Sequence, residues 1–334
     1  MLNLSEIQDS IGLATCHHDW QADLPRITHI LRTFFSENDV HTGFFPHPEE
    51  ARIQAMLLEM PSLRAFAEQF AATELKAIIV QALGLSAFSA HDRNLLLFAL
   101  SLAIGFPTPT EQQHHRIFWD VKSRPSRPDA NRPLTFSERT GRADMHTDSS
   151  FISMPEEHFL LYTVRSARCG GGASCLIDVN DIVTALMDTR AGRAAQVELT
   201  QAWPFEVPSA FANPQANDNE SPIGHYPIFS RSTKVDSALN IRWRYDAILK
   251  GLAAYPELAT PQRLAALSLI HDLIENNVPC FKQLLEDDSL LWVDNHHMLH
   301  GRTHFTDPDR HLIRIRIAQQ PNASRSGLCG HTTG

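Results

Sequence analysis

Apolar residues recur at spacings of three and four through much of the first third of the chain. Residues 24–35, 49–59 and 62–83 each read as amphipathic helices, and 95–104 is apolar all round, as in a buried helix. Gly105-Phe106-Pro107 ends that pattern. Beyond residue 115 the period changes. Short strand-like runs appear at 117–121, 159–165, 175–179, 239–245, 289–294 and 312–317. Between them lie a short helix starting at 181–186 and an amphipathic helix over 260–276. Residues 122–133 and 203–235 are rich in Pro, Ser and Asn and have no period, so the second of these reads as a long lid loop. Short strands separated by turns predict a barrel or jelly roll rather than a wound βαβ sheet. The expected organisation is one domain over 1–321, with a mostly helical N-terminal layer (1–106), a jelly-roll core (107–321) and a flexible tail (322–334).

Composition narrows the function classes. The chain has 334 residues, 43% of them apolar, enough for a large core and too apolar for disorder. Its formal net charge of −9 argues against nucleic acid or an anionic membrane as partner. The longest apolar stretch, 95–106, is too short to span a bilayer, and the first ten residues lack the apolar core of a secretory signal. Five scattered cysteines fit neither a disulfide framework nor a structural zinc site, which points to a reducing, cytoplasmic setting. The unusual count is 18 histidines, and histidine is the commonest metal ligand.

Three segments carry candidate chemistry. In Met145-His146-Thr147-Asp148, strand geometry would put His146 and Asp148 on one side. Far downstream, Asp294-Asn295-His296-His297-Met298-Leu299-His300-Gly301-Arg302 offers further imidazoles. His296, His297 and His300 are all available as a second imidazole, and the Gly-Arg that follows favours His300. Two imidazoles and one carboxylate form the facial triad of non-haem Fe(II) oxygenases. Third, alternation in 310–316 sets Arg310, Arg314 and Arg316 on one strand face, costly to bury without anions. Arg310 and Arg314 would lie about 13 Å apart, one for a co-substrate carboxylate and the other for a substrate anion.

In this order, HTDSSF (146–151), GGGASCLIDV (170–179), VDNHHMLHGRTHF (293–305) and RHLIR (310–314) resemble the clavaminate synthase-like and taurine dioxygenase-like Fe(II)/2-oxoglutarate-dependent oxygenases, over about residues 100–320. The resemblance implies a distorted double-stranded β-helix of the jelly-roll type, flanked by helices. It implies Fe(II) on His146, Asp148 and His300, with 2-oxoglutarate and O2 as co-substrates. Arg310 would grip the distal carboxylate of 2-oxoglutarate, helped by Ser174 where relatives usually have Thr. Arg314 would bind the substrate's acidic group. Relatives that hydroxylate amino acids often carry Glu in place of Asp148, and those that halogenate carry no carboxylate there. The implied reaction is hydroxylation at an sp3 carbon of an amino acid or related small carboxylate, free or bound to a carrier protein, with release of succinate and CO2. Desaturation and epoxidation are the chemical neighbours. A non-catalytic metal-binding sensor and a zinc hydrolase are the alternatives from other classes.

Other conspicuous residues read more simply. His304 and His311 read as loop and strand-surface residues, Arg302 and Arg316 as ion-pair formers, and Phe151 and Trp292 as core aromatics. Gly170–Gly172 reads as a turn rather than a phosphate cradle, because a strand follows. Asp144, Asp218 and Glu220 read as solvated charges, Ser137 as a residue near the site without a role, and His17 and His18 as histidines without sequence partners.

Overall fold

The all-apolar run lies inside helix α5, whose residues from Leu95 to Ala103 are buried. Ser89 caps its start by accepting the Asp92 N–H at 3.1 Å. In this computed structural model, residues 2–8, 10–71, 73–110, 114–124, 135–208, 222–231 and 239–322 are described. The helices are α1 (Leu24–Arg32), α2 (Glu37–Thr42), α3 (Glu50–Leu58), α4 (Pro61–Ala71), α5 (Ala90–Ile104), α6 (Val179–Met187), α7 (Arg190–Leu199), α8 (Tyr245–Ala254) and α9 (Pro261–Asp272), the last running on through a π turn. The strands of the first half are β1 (Leu2–Gln8), β2 (Ile11–Cys16), β3 (Ala77–Gln81), β4 (Phe106–Thr108), β5 (Trp119–Lys122), β6 (Ala143–His146), β7 (His158–Arg165) and β8 (Ser174–Asp178). They continue with β9 (Ala202–Glu206), β10 (Ile223–Pro227), β11 (Phe229–Arg231), β12 (Leu239–Ile241), β13 (Phe281–Gln283), β14 (Leu290–Asp294), β15 (Met298–Arg302) and β16 (His311–Ala318).

Two sheets form the core. The larger runs β1-β2-β3-β14-β7-β16-β4, with β5 also on β16, and the smaller runs β13-β8-β15-β6. Pairing is antiparallel except between β2 and β3. Phe159, Leu291 and Leu312 of the large sheet meet Leu176 and Met298 of the small one in a shared apolar cluster. Helices α1–α5 pack on the other face of the large sheet, against Ile78, Trp292 and Ile315. Helices α6–α9 cover the outer face of the small sheet, against Ile177 and Leu299. This is the expected jelly-roll-type core flanked by helices.

Three expectations are corrected. Helix α4 stops at Ala71, and residues 77–80 are buried on both faces between β2 and β14, so a buried strand interrupts what read as one helix. With β1 and β2, this makes the 1–106 layer mixed rather than mostly helical. Residues 203–235 are not one loop: they hold β10, β11 and most of β9, and Trp203 and Phe205 are fully buried in the C-terminal core. Positions 209–221 and 232–238, which include Asp218 and Glu220, and the tail from 323 lie outside the described residues. The pattern also gave no sign of α7. Among the described residues, no helix is long and apolar enough to cross a membrane.

Candidate active site

The site lies between the two sheets. His146 ends β6 and stands directly opposite His300 of β15 in the antiparallel register, their rings 4.2 Å apart. Asp148 is not on the strand, as its spacing suggested, but in the turn just beyond. That turn is anchored twice. Thr147 N–H donates to the Trp243 carbonyl at 2.8 Å, and the Thr147 hydroxyl accepts the Trp243 N–H at 3.0 Å. Asn295 then clamps the Asp148 backbone: its Oδ1 accepts the Asp148 N–H at 2.8 Å, and its Nδ2 donates to the carbonyls of Asp148 at 3.1 Å and Glu156 at 2.9 Å. The outcome is one ligand atom each from His146, Asp148 and His300, all within 4.8 Å of one another. His296 and His297 stay outside this group. The Asp294 carboxylate accepts both their backbone N–H groups and bonds the His297 ring at 2.8 Å.

Burial and charge prepare these side chains for a cation. All three are buried. His146 Nδ1 lies 2.7 Å from the Asp144 carbonyl oxygen, which orients the ring and leaves Nε2 for a ligand bond. Burial, with Arg244 adding to it, pulls the His146 imidazole down to about 4. Burial and then His146 hold His300 well below the ordinary imidazole range. Both rings are therefore neutral at pH 7, the form that ligates. Burial works to raise the Asp148 carboxyl, but Arg314, Arg316, His300 and His146 together hold it below the ordinary carboxylate range. Arg314 reaches it at 3.1 Å and Arg316 at 3.3 Å. Neutral nitrogen and ionised oxygen donors on one side of a site suit Fe(II).

A cavity of about 70 Å³ opens beside this cluster, lined by His146, His300, Ser174, Arg302, Arg310 and Arg314 together with Phe159, Leu161 and Leu312. Arg310 is 4% exposed, stacks over the Phe305 ring at 5.0 Å and has no side-chain hydrogen-bond or ion-pair partner among the described residues. Burial and then Arg302 bring it down to about 9, still charged at neutral pH. Such a guanidinium is costly without an anion. Gly172, at φ +82°, leaves room for it, since a Cβ there would stand 3.1 Å from Arg310 Nε. Positive φ at Gly170 and Gly172 also bears out the turn reading of that segment. Arg314 Nε is buried and unpartnered as well.

A family model for the taurine catabolism dioxygenase TauD, TfdA family matches residues 62–316. The chain belongs to that family. Its membership covers the whole site, from His146 to Arg316. No curated protein matches the sequence itself. Among solved structures, the TauD/TfdA-family chain is similar to an asparagine oxygenase in complex with Fe(II), 2S,3S-3-hydroxyasparagine and succinate, at 17% identity, TM-score 0.64, and coverage of 94% of this chain and 96% of that one. It is also similar to the non-heme iron oxygenase OrfP in complex with Fe and α-ketoglutaric acid, at 16% identity, TM-score 0.58, and coverage of 94% and 96%. At such identities the likeness establishes the fold.

Other expectations resolve as follows. Arg316 forms the expected ion pair, but with Asp148 inside the site. Arg302 donates to the Arg139 and Gly141 carbonyls and stacks on Phe305. His311 pairs with Asp120, and Ser137 accepts the Trp119 indole N–H at the cavity wall. His18, which read as unpartnered, bonds Asp23. Sequence reasoning missed the role of Asn295, which lies inside a quoted motif but whose clamp joins segments 147 residues apart.

Proposed function

We propose that this TauD/TfdA-family chain is an Fe(II)- and 2-oxoglutarate-dependent oxygenase that hydroxylates an sp3 carbon of a small carboxylate-bearing substrate, an amino acid or a close derivative. The observation that carries this is the buried Arg310 guanidinium, unpaired among the described residues, in a cavity that Ser174, His146 and His300 also line. A metal site alone has no need of it, whereas a chelating keto acid with a distal carboxylate does.

In this reading His146, Asp148 and His300 hold the iron. Iron chelated by the keto acid supplies the oxidising chemistry from O2, with succinate and CO2 as co-products. Arg310 forms a fork on the distal carboxylate, and the Ser174 hydroxyl adds a hydrogen bond. Phe159, Leu161 and Leu312 keep water from the reacting carbon. Arg314, which lines the same cavity, binds the substrate carboxylate. That role favours a free amino acid over a carrier thioester, whose carboxylate is already consumed. The amino-acid products bound by the asparagine oxygenase and by OrfP with (3S)-hydroxy-L-Arg support the same class. The free thiols favour a cytoplasmic setting.

The test needs no substrate. Anaerobic titration of Fe(II) and 2-oxoglutarate is expected to give the visible charge-transfer band of a chelated keto acid. Asp148→Ala should abolish it, and Arg310→Ala should weaken 2-oxoglutarate binding by about 100-fold, the scale of a lost charge-assisted fork. Metal binding without the band would sink the reading in favour of a zinc hydrolase or a sensor. Screening amino acids by succinate release then identifies the substrate.

A further inference from the structure

Arginines crowd the site from two directions. Arg302, Arg310 and Arg314 line the cavity beside the metal cluster, and Arg316 reaches Asp148 at 3.3 Å. A fifth arrives from a separate element. Arg244 stands at the start of α8. The residue before it, Trp243, exchanges two hydrogen bonds with Thr147, at 2.8 and 3.0 Å. Thr147 lies between His146 and Asp148, so this exchange ties the Arg244 backbone to the cluster. The side chain follows. The Arg244 charge lowers the His146 imidazole more than the Asp148 carboxylate raises it, and it lowers Arg314 as well. Charges act with a strength that falls with distance, so the guanidinium sits close to the His146 ring. Asp246 accepts from Arg244 Nε at 2.9 Å and holds the arm in place. A guanidinium has five donors, more than one carboxylate oxygen uses. The Arg244 side chain is 21% exposed and that of Asp246 48%, against 4% for Arg316, so this pair stands on the open side of the buried cluster.

Among the described residues, these five arginines face three carboxylates, Asp148, Asp246 and Glu156, the last acting on Arg314. Fe(II) and 2-oxoglutarate bring equal and opposite charge, so the loaded site stays cationic. Positive charge drawn out of water calls for an anion. We propose that the substrate is a small diacid, an acidic amino acid or a close analogue, with one carboxylate on Arg314 and the second on Arg244. A neutral substrate side chain would leave the excess of arginine standing, and a basic one would add to it. This inference rests on the oxygenase reading above and names the substrate class within it.

The full chain, loaded anaerobically with Fe(II) and 2-oxoglutarate, is titrated with L-aspartate, L-glutamate and L-2-aminoadipate, and with L-asparagine, L-glutamine and L-arginine as controls. Binding is read as a shift of the charge-transfer band, and turnover as succinate release once air is admitted. At least one acid is expected to shift the band at a concentration about tenfold below that needed by any control, the scale of one charge-assisted hydrogen bond. Arg244→Gln should weaken that acid by about tenfold and so reduce its preference over the controls. Arg244→Lys, which keeps the charge, should retain most of that preference. A merely structural role for Arg244 would leave the ratio of acid to control unmoved. The band of each variant before substrate is added reports that it is folded and loaded. Failure of the unaltered chain to give the band overturns the oxygenase reading itself. A band that no diacid shifts, a control bound as tightly as every acid, or a preference that survives Arg244→Gln overturns this inference and leaves that reading standing.

Discussion

At the scale of residues, the candidate iron ligands are kept in the right protonation state by burial, and this has a measurable sign. His146 sits at about 4 in the folded chain against 6.5 for an unperturbed imidazole. Between those values the unfolded chain takes up a proton that the folded chain refuses. This contribution to stability is therefore complete above about pH 6.5 and is lost as pH falls towards 4. The difference corresponds to about 3 kcal/mol, and His300 adds in the same direction. Metal-free protein should melt at a clearly lower temperature at pH 5 than at pH 7, and a flat profile would count against buried neutral imidazoles. Asn295 gives a second expectation. Asn295→Ala leaves the Asp148 N–H, the Asp148 carbonyl and the Glu156 carbonyl without their partner. We expect a loss of about 2–3 kcal/mol in denaturant unfolding and about 10–100-fold weaker metal binding by calorimetry. His146, Asp148 and His300 stood out in the sequence, because His-x-Asp and His-Gly-Arg are local spellings, and the fold brings the three together. The Asn295 clamp did not, because it is a contact between loops that only the closed fold brings together.

At the scale of elements, the site depends on how closely β15 can approach β6. A Cβ on Gly301 would stand 2.7 Å from Met145 Sδ and 2.8 Å from the Ala143 carbonyl oxygen. The sulfur can swing away; the backbone oxygen cannot. Gly301→Ala should therefore push the strands apart next to the His146–His300 pair. The expected loss is about 1–3 kcal/mol of stability, with the charge-transfer band broadened or absent; an unaltered band would show that the strands can give. Elements with a clean period were legible. Helix α5 and strands β7, β14 and β16 fall within a few residues of where alternation or uniform apolarity placed them. Strand β3 was not, because an apolar run buried on both faces has no alternation and prolongs the helical pattern of α4. Strand β9 contains Pro204 and ends next to a Pro/Asn-rich stretch, so local composition masked a segment that tertiary burial makes a strand.

At the scale of the whole molecule, the two sheets divide the chain into layers with different tasks. The gap between the sheets holds the polar machinery: Arg302, Arg310, Arg314 and Arg316 are drawn into it from β15 and from in and beside β16. The helical layers on either side are apolar supports, and the N-terminal one holds a second, larger cavity. The layered class was readable from the sequence, because helical runs dominate the first third and short strands separated by turns dominate the rest. The partition of arginines between site and surface was not, since the strand pattern gives a face but not what the face looks onto.

The register that sets His146 against His300 joins positions 154 residues apart (300 − 146). A cation shared by the two rings and Asp148 would be a cross-link closing nearly half the chain into a loop, present only when the fold is complete. Iron would then act as a fastener as well as a reagent. A cell short of it would hold a looser protein, more open to proteases, so metal supply would set how long each copy survives as well as how fast it turns over.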